Sequence, residues 1–473
     1  MDKSKSLKHR LPPISKKNVD NPFEYCKLDR EQYAEVLTSI VHNYSDGFVL
    51  AINNKWGTGK TTFIKMWRQY LIKKEFRTLY FNAWENDFQN EVLIALISEL
   101  KELKNNDEET FKKILSKTVP LVKKMAPAML KHFAEKAVGE GTIAEIIKAA
   151  GDYGVNELEA EILSFNKKKN SIRDFREILE NFVKEVDPTR PVIFIIDELD
   201  RCKPSYAVEV LEQIKHLFAV PGIVFVLSID KEQLGHAIRG YYGSDKIDAD
   251  EYLRRFIDIE YSIPNPNVQK YIEYLYSYYD YNSIFPGINH DVETFKTLAR
   301  LIFKRANYSL REIEKVFIKV KLIISSFRNE TYVFPEVILF LYHLREKYPD
   351  KYKLLKNGVY SYQAFHDTIE DVLNELSNPS EIRRVQSLLA SLLYHYSYDY
   401  ERLYRVNKDT KIIERDIKTL ENELKLTIIT DTEDDSNSVA NLISSLHKKD
   451  FLHETKFSDI VKKFELIDKV GIN

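Results

Sequence analysis

Gly47-Phe48-Val49-Leu50-Ala51-Ile52, followed by Asn53-Asn54-Lys55-Trp56-Gly57-Thr58-Gly59-Lys60-Thr61-Thr62, is the stretch on which the fold turns. Its apolar run, rich in β-branched and aromatic residues, reads as a buried strand. A Gly-rich turn then delivers Lys60 and Thr61 to the start of an amphipathic helix marked by Phe63, Ile64, Trp67 and Leu71. Strand, loop and helix in that order are the context of a phosphate-binding loop. Loop N–H groups and the helix N-terminus face the anion, the lysine neutralises β/γ oxygens, and the hydroxyl ligates Mg²⁺. The cradle would comprise Asn54, Trp56, Gly57, Thr58, Gly59, Lys60, Thr61 and Thr62. Asn54 stands where the usual pattern has its first Gly. Asn tolerates left-handed backbone better than most residues, which would still let the loop close.

A second apolar run, Pro191-Val192-Ile193-Phe194-Ile195-Ile196, ends in Asp197-Glu198-Leu199-Asp200-Arg201. Nucleotide hydrolysis needs one carboxylate at such a strand end to hold Mg²⁺ and another to orient the attacking water. Asp197 fits the first role and Glu198 the second, and Asp200 is open to either. An acidic turn after an apolar strand is common by itself. Paired with the loop in this order, it becomes specific.

The chain of 473 residues is long enough for two or three domains. A hydrophobic share of 44% with 30% charged residues describes a globular protein, and a net charge of −2 gives no global pull toward nucleic acid or anionic membranes. Two cysteines, Cys26 and Cys202, make neither a disulfide framework nor a zinc site, so a cytoplasmic, reducing setting is expected. No secretory leader and no run of about 18 apolar residues is visible.

Residues 1–29 form a basic arm containing Pro12-Pro13, and Tyr25 and Tyr33 are candidates for contact with a nucleotide base. From Arg30 to Tyr44 the pattern is helical. Arg77–Asn82 reads as a strand, and helical periodicity resumes from Val92 to Leu103. Residues 104–180 read as a helical insert, including an amphipathic basic stretch from Lys123 to Lys136 that packs on the protein or lies on a membrane surface. Ile223–Asp230 is another buried strand and Phe256–Tyr261 a closing one. Strands alternating with helices predict an α/β fold with a parallel sheet covered by helices, spanning 30–266. Residues 267–473 show only helical patterns and read as an α-helical C-terminal domain, with a short hydrophobic seam through Leu403, Val406, Ile413, Ile417, Leu420 and Leu424.

The combination N-K-W-G-T-G-K-T at 54–61, F-N-A-W at 81–84 and I-I-D-E-L-D-R-C-K-P at 195–204 resembles the KAP family of P-loop NTPases. L-S-I-D-K-E-Q-L at 227–234 and Y-L-R-R-F-I-D-I-E-Y-S-I-P at 252–264 extend the resemblance, which covers about residues 30–320. It implies a sheet with an extra strand between the loop strand and the acidic strand. It implies that Lys60 and Thr61 bind phosphate and Mg²⁺, that Asp197 holds Mg²⁺, and that Glu198 polarises water. Asn82 or Trp84 would support the nucleotide pocket. Ser228 or Asp230 would sense the γ-phosphate, and Arg254 or Arg255 would reach a neighbouring subunit's nucleotide as a finger. Arg311, in N-Y-S-L-R-E, resembles the family's helical-domain motif and would contact nucleotide in cis. Many members carry transmembrane helices where this chain has the charged residues 104–180, so a variant without them is expected.

The resulting expectation is a Mg²⁺-dependent ATPase acting as a switch or motor, working as a homo-oligomer or with an accessory protein. Bacterial relatives of this kind are linked to phage exclusion, so the resemblance implies anti-phage defence. ATP is preferred to GTP because no N-K-x-D motif follows the acidic strand. The competing readings are a slowly hydrolysing occupancy switch and a nucleic-acid-stimulated ATPase.

Overall fold

The computed structural model of the chain describes residues 21–24, 26–44, 47–88, 91–103, 108–118, 121, 157–283, 289–327, 335–357 and 457–468. Tyr25, the basic arm before residue 21, the Lys123–Lys136 stretch and the seam from Leu403 to Leu424 lie outside the described residues. The chain divides into two units, Pro12–Asn265 and Pro266–Asn473 with Met1–Leu11.

The first unit is built on five parallel strands: β1 (Val49–Asn53), β2 (Thr78–Asn82), β3 (Val192–Asp197), β4 (Ile223–Ile229) and β5 (Ile259–Ser262). Their order across the sheet is β2-β3-β4-β1-β5. β4 therefore stands between the loop strand and the acidic strand, as the resemblance implied. β3 and β4 are buried at every residue. Each is flanked by strands on both edges and covered on both faces, so neither shows polar alternation. The outer strands β2 and β5 alternate instead, since an edge strand need bury only one face. The sequence places the closing strand at Phe256–Tyr261, whereas the structure pairs Ile259–Ser262 with β1. Phe256 and Ile257 are apolar because they pack on the core from the turn before β5.

Helices connect the strands: α1 (Glu31–Asn43), α2 (Lys60–Lys73), α3 (Ala83–Asn86), α4 (Val92–Leu100), α5 (Glu108–Thr118), α6 (Glu157–Val186), α7 (Pro204–Gln213), α8 (Lys231–Tyr242) and α9 (Ala249–Leu253). The period of two sorts the strand residues between two cores. Leu50, Ile52, Ile193, Ile195, Val224 and Val226 meet α1 and α2 through Leu37, Phe63, Ile64 and Trp67. Val49, Ala51, Phe194, Ile196, Phe225 and Leu227 face α4 to α7 on the opposite side. Trp67 is fully buried and its indole Nε1 donates to Thr38 Oγ1 at 3.0 Å, locking α2 to α1. Gly47 enters β1 at φ +84°, and a Cβ there would meet Val220 O at 2.4 Å.

The described elements of the second unit are all helical: α10 (Val268–Tyr278), α11 (Asn289–Arg305), α12 (Leu310–Ser325), α13 (Pro335–Lys347), α14 (Pro349–Lys356) and α15 (Phe457–Asp468), with a short turn at Tyr281–Ser283. An aromatic core holds them, with Tyr281 and Phe317 ring centroids 5.2 Å apart and the Tyr281 hydroxyl donating to Phe317 O at 2.6 Å. His343 is buried against Tyr308, and burial pulls its pKa down to about 3, so the ring is neutral at physiological pH.

Candidate nucleotide site

Three strands end on one edge of the sheet with the polar residues of the site. The register sets Ile52, Ser228 and Asp197 side by side on β1, β4 and β3, and Asn82 of β2 beside Asp197. Residues level with one another on parallel strands point to the same face, here the face covered by α1 and α2.

The loop after β1 closes through its glycines. Gly57 and Gly59 are left-handed at φ +78° and +84°. Asn54 is not among the left-handed residues, which corrects the expectation that its tolerance for that conformation closes the loop. Its side chain acts as a brace instead. Nδ2 donates to Ile263 O at 2.8 Å and Oδ1 accepts from Lys55 N at 2.8 Å. Thr58 Oγ1 donates to Lys55 O at 2.8 Å within the same turn. Thr61 is half-buried in the first turn of α2, and Thr62 is exposed.

Lys60 is 8% exposed, and its ammonium donates to Asn54 O at 2.5 Å and to Lys55 O at 3.4 Å. Burial is the largest influence on its pKa and lowers it, with Asp200, Asp230 and Asp197 opposing in that order. The desolvation outweighs three nearby carboxylates, as expected for a charge taken out of water without a paired counter-ion.

The acidic turn is held by donors. Asp197, 1% exposed, accepts from Tyr80 Oη at 2.9 Å and from Glu198 N at 3.0 Å. Glu198 is a non-glycine residue at φ +62°, an unfavourable conformation that turns the chain sharply after β3. Its carboxylate pairs with Arg201 Nη1 at 2.7 Å and lies 3.4 Å from Asn82 Nδ2. The Arg201 guanidinium in turn lies 5.9 Å from the ring centre of Trp84, which is 55% exposed. Asn82 also caps α3 by accepting from Trp84 N and Glu85 N.

Asp200 and Asp230 tie the loop to the strand ends. Asp200 Oδ2 accepts from Trp56 Nε1 at 2.5 Å and from Asp230 N at 2.9 Å. Asp230 Oδ2 accepts from Trp56 N at 3.0 Å, and its other oxygen caps α8 through Gln233 N at 3.3 Å. Both carboxylates are thus engaged within the protein. Ser228 differs: its Oγ is fully buried and has no hydrogen-bond partner among the described residues, which leaves its hydroxyl with unused capacity.

Sequence reasoning missed Tyr80, the indole of Trp56 as a partner of Asp200, and above all Arg30. Arg30 Nη2 and Nη1 donate to Thr58 O and Gly59 O at 2.8 and 3.0 Å. A single arginine before a helix has no spacing that would have singled it out. Of the remaining candidates, Arg254 and Arg255 are exposed after α9 and make no side-chain ion pair among the described residues. Tyr33 packs at the edge of the core beside α2. Arg311 is exposed in the first turn of α12, where Ser309 and Glu312 form a reciprocal cap.

A parallel sheet with β4 between a Gly-rich loop strand and an acidic strand, and a buried lysine at the loop's end, is the fold and site of a P-loop NTPase. The model of the KAP family P-loop domain matches residues 30–327, and the chain belongs to that family. It is 21% identical over 271 residues to the phage T7 exclusion protein of Escherichia coli, across 53% of this chain and 35% of that protein. The chain thus spans about a third of that relative's length. It is 32% identical over 177 residues to an uncharacterised protein of Methanocaldococcus jannaschii, covering 32% of this chain and 89% of that one. A solved structure of the Aeropyrum pernix ORC2 protein aligns over 92% of this chain and 96% of its own at 14% identity and a TM-score of 0.32. Among the described residues no helix is long and apolar enough to cross a membrane.

Proposed function

We propose that the chain is a Mg²⁺-dependent ATPase that uses nucleotide state to drive a switch or motor. The observation that supports this reading is the tie of the loop to the acidic turn beside the buried Lys60, with Trp56 N donating to Asp230 and its indole to Asp200. The donor set fits Mg²⁺, a hard cation that takes oxygen ligands from one or two carboxylates plus phosphates. Thr61 and Asp197 would hold it, and it would supply neutralisation of charge on the β- and γ-phosphates. Lys60 and the N–H groups of Gly57, Thr58, Gly59 and Thr62 would orient the phosphate chain, with Asn54 and Trp56 bracing the loop. Glu198 would position and deprotonate the attacking water once its carboxylate exchanges Arg201 for that water. The unused hydroxyl of Ser228 would report on the γ-phosphate, a role the engaged Asp230 is less suited to. Arg254 or Arg255 would complete the site of a neighbouring copy, which makes a homo-oligomer the working form. The likeness to a phage exclusion protein supports a place in anti-phage defence.

Phosphate release from ATP and GTP tests this, on the unmodified chain beside Lys60→Ala and Glu198→Gln over a range of protein concentration. The expected result is ATP turnover that both substitutions abolish and whose rate per subunit rises with concentration. Nucleotide binding without turnover would replace the motor by an occupancy switch. Turnover that appears only with DNA or RNA would replace it by a nucleic-acid-stimulated ATPase.

A further inference from the structure

Arg30 is a cation buried on the side of the phosphate loop that its carbonyls face. The residue is 4% exposed and makes no ion pair among the described residues. Among those residues its side chain has two hydrogen bonds, to Thr58 O and Gly59 O. Burial is the largest influence on its pKa and lowers it, so the charge sits where water would otherwise stabilise it better. Guanidinium groups are almost never buried without a counter-ion, and two peptide dipoles are a weak substitute for a carboxylate. The arrangement needs a reason beyond packing.

The planarity of the peptide bond supplies one. In a trans peptide the C=O and the following N–H point in opposite directions. Thr58 O shares its peptide plane with Gly59 N, and Gly59 O shares its plane with Lys60 N. Arg30 holds the Thr58 carbonyl, and it shares the Gly59 carbonyl with the N–H of Phe63, which donates to it at 3.0 Å in the first turn of α2. The N–H groups of Gly59 and Lys60 are thereby turned to the other side. Those amides open α2, whose N-cap is the left-handed Gly59. Among the described residues neither has an acceptor in the turns and caps of the backbone. They are the groups that would receive phosphate oxygens at a helix N-terminus.

We infer that Arg30 is a positioning residue of the phosphate cradle, fixing the Thr58–Gly59 peptide plane and reinforcing the Gly59–Lys60 plane that α2 also holds, so that the Gly59 and Lys60 amides are aimed at the phosphates of a nucleoside triphosphate. This rests on the nucleotide-binding reading of the loop. It also links the start of α1 to the site. The helix carries the arginine to the loop, so movement of α1 would be felt as a change in phosphate affinity. The gain from binding an anion near a buried cation is larger than in water, because the low local dielectric strengthens the attraction.

The test is isothermal titration of the full chain with Mg²⁺–ATP and, separately, with inorganic tripolyphosphate, on the unmodified protein, Arg30→Met and Arg30→Lys. Losing one or two charge-assisted hydrogen bonds that orient the cradle predicts affinities for both ligands weaker by about tenfold to a hundredfold in Arg30→Met. Arg30→Lys, which restores the charge and one hydrogen bond, is expected to fall between. A purely structural role would lower the melting temperature and leave both affinities unchanged, and that result in either folded variant overturns the proposal. If Arg30→Met does not fold, Arg30→Lys alone decides. Absence of binding in the unmodified chain would remove the nucleotide reading together with this one, whereas equal binding in all three removes only the role of Arg30.

Discussion

The loop after β1 and the turn after β3 lie on the same edge of one sheet, yet they are held by opposite devices. The loop is a run of backbone, gripped by two buried cations: Lys60 on its own carbonyls at Asn54 and Lys55, and Arg30 on those of Thr58 and Gly59. The turn is a set of carboxylates gripped by donors, with Tyr80 and a backbone amide on Asp197, Arg201 on Glu198, and Trp56 on Asp200. The contrast is between a backbone held by cations and carboxylates held by donors. The loop is shaped by side-chain cations that draw its carbonyls to one side. The turn is shaped by donors that engage the oxygens of both Asp197 and Glu198.

Lys60 is where this division can be undone most completely. Lys60→Ala removes the cation that would face both the loop and the three carboxylates, and ATP turnover is expected to fall on the order of 10³-fold, the scale of losing a preorganised electrostatic group. Glu198→Gln should remove turnover comparably while leaving ATP affinity nearly intact, since the amide keeps the shape of the turn. Titration of both variants with ATP checks the contrast, and equal loss of binding in the two would erase the division.

Rigidity of the loop strand is tested at Gly47. A side chain there meets the Val220 carbonyl and must adopt a positive φ, so Gly47→Ala should cost about 3 kcal/mol of unfolding free energy by urea titration. A smaller effect follows at the tie between loop and turn. Trp56→Phe keeps an aromatic ring but deletes the indole N–H, leaving buried Asp200 with one donor fewer. Loss of one hydrogen bond to a charged group predicts a KM for ATP raised about fivefold to tenfold with kcat less affected. A change confined to kcat would place Asp200 in the chemistry rather than in the tie.

The subtlest change lies behind the acidic turn. The Tyr80 ring that serves Asp197 is covered by Arg68 at 5.6 Å, and Arg68 pairs with Glu102 at 3.7 Å beside Glu99. Burial, then Glu102, pushes the Glu99 carboxyl up to about 7. Because its folded pKa lies above the unfolded value near 4.5, Glu99 favours folding below that pH, and the contribution is lost as pH rises toward 7. Glu99→Gln should therefore be more stable than the unmodified chain at pH 7.5 and indistinguishable at pH 4. Urea midpoints at the two pH values measure it, and a difference between the two proteins that is the same at both would show that Glu99 has the same pKa folded and unfolded.

How much of this was legible depended on whether a feature is local. β3 and β4 were readable because a strand buried on both faces shows as an unbroken apolar run. β5 was displaced by several residues because Phe256 and Ile257 are apolar for a different reason, packing from a turn rather than within the sheet. Lys60, Asp197 and Glu198 carry their chemistry in residue type and spacing, and the structure sets them on one sheet edge. Asn54 misled, because its likeness to a missing glycine invited a backbone explanation where its side chain does the bracing.

Short windows of the chain were enough to specify the alternation of strand and helix, the phosphate-loop pattern and the acidic strand end, since all three are written in local periodicity and composition. The three-dimensional fold was needed to show that β4 separates the loop strand from the acidic strand, that Trp56 serves Asp200 across 144 positions, and that Arg30 reaches Thr58 across 28. Those pairings arise when the sheet closes and the helices dock on its faces. No local pattern encodes which distant residue will be there to meet a given donor.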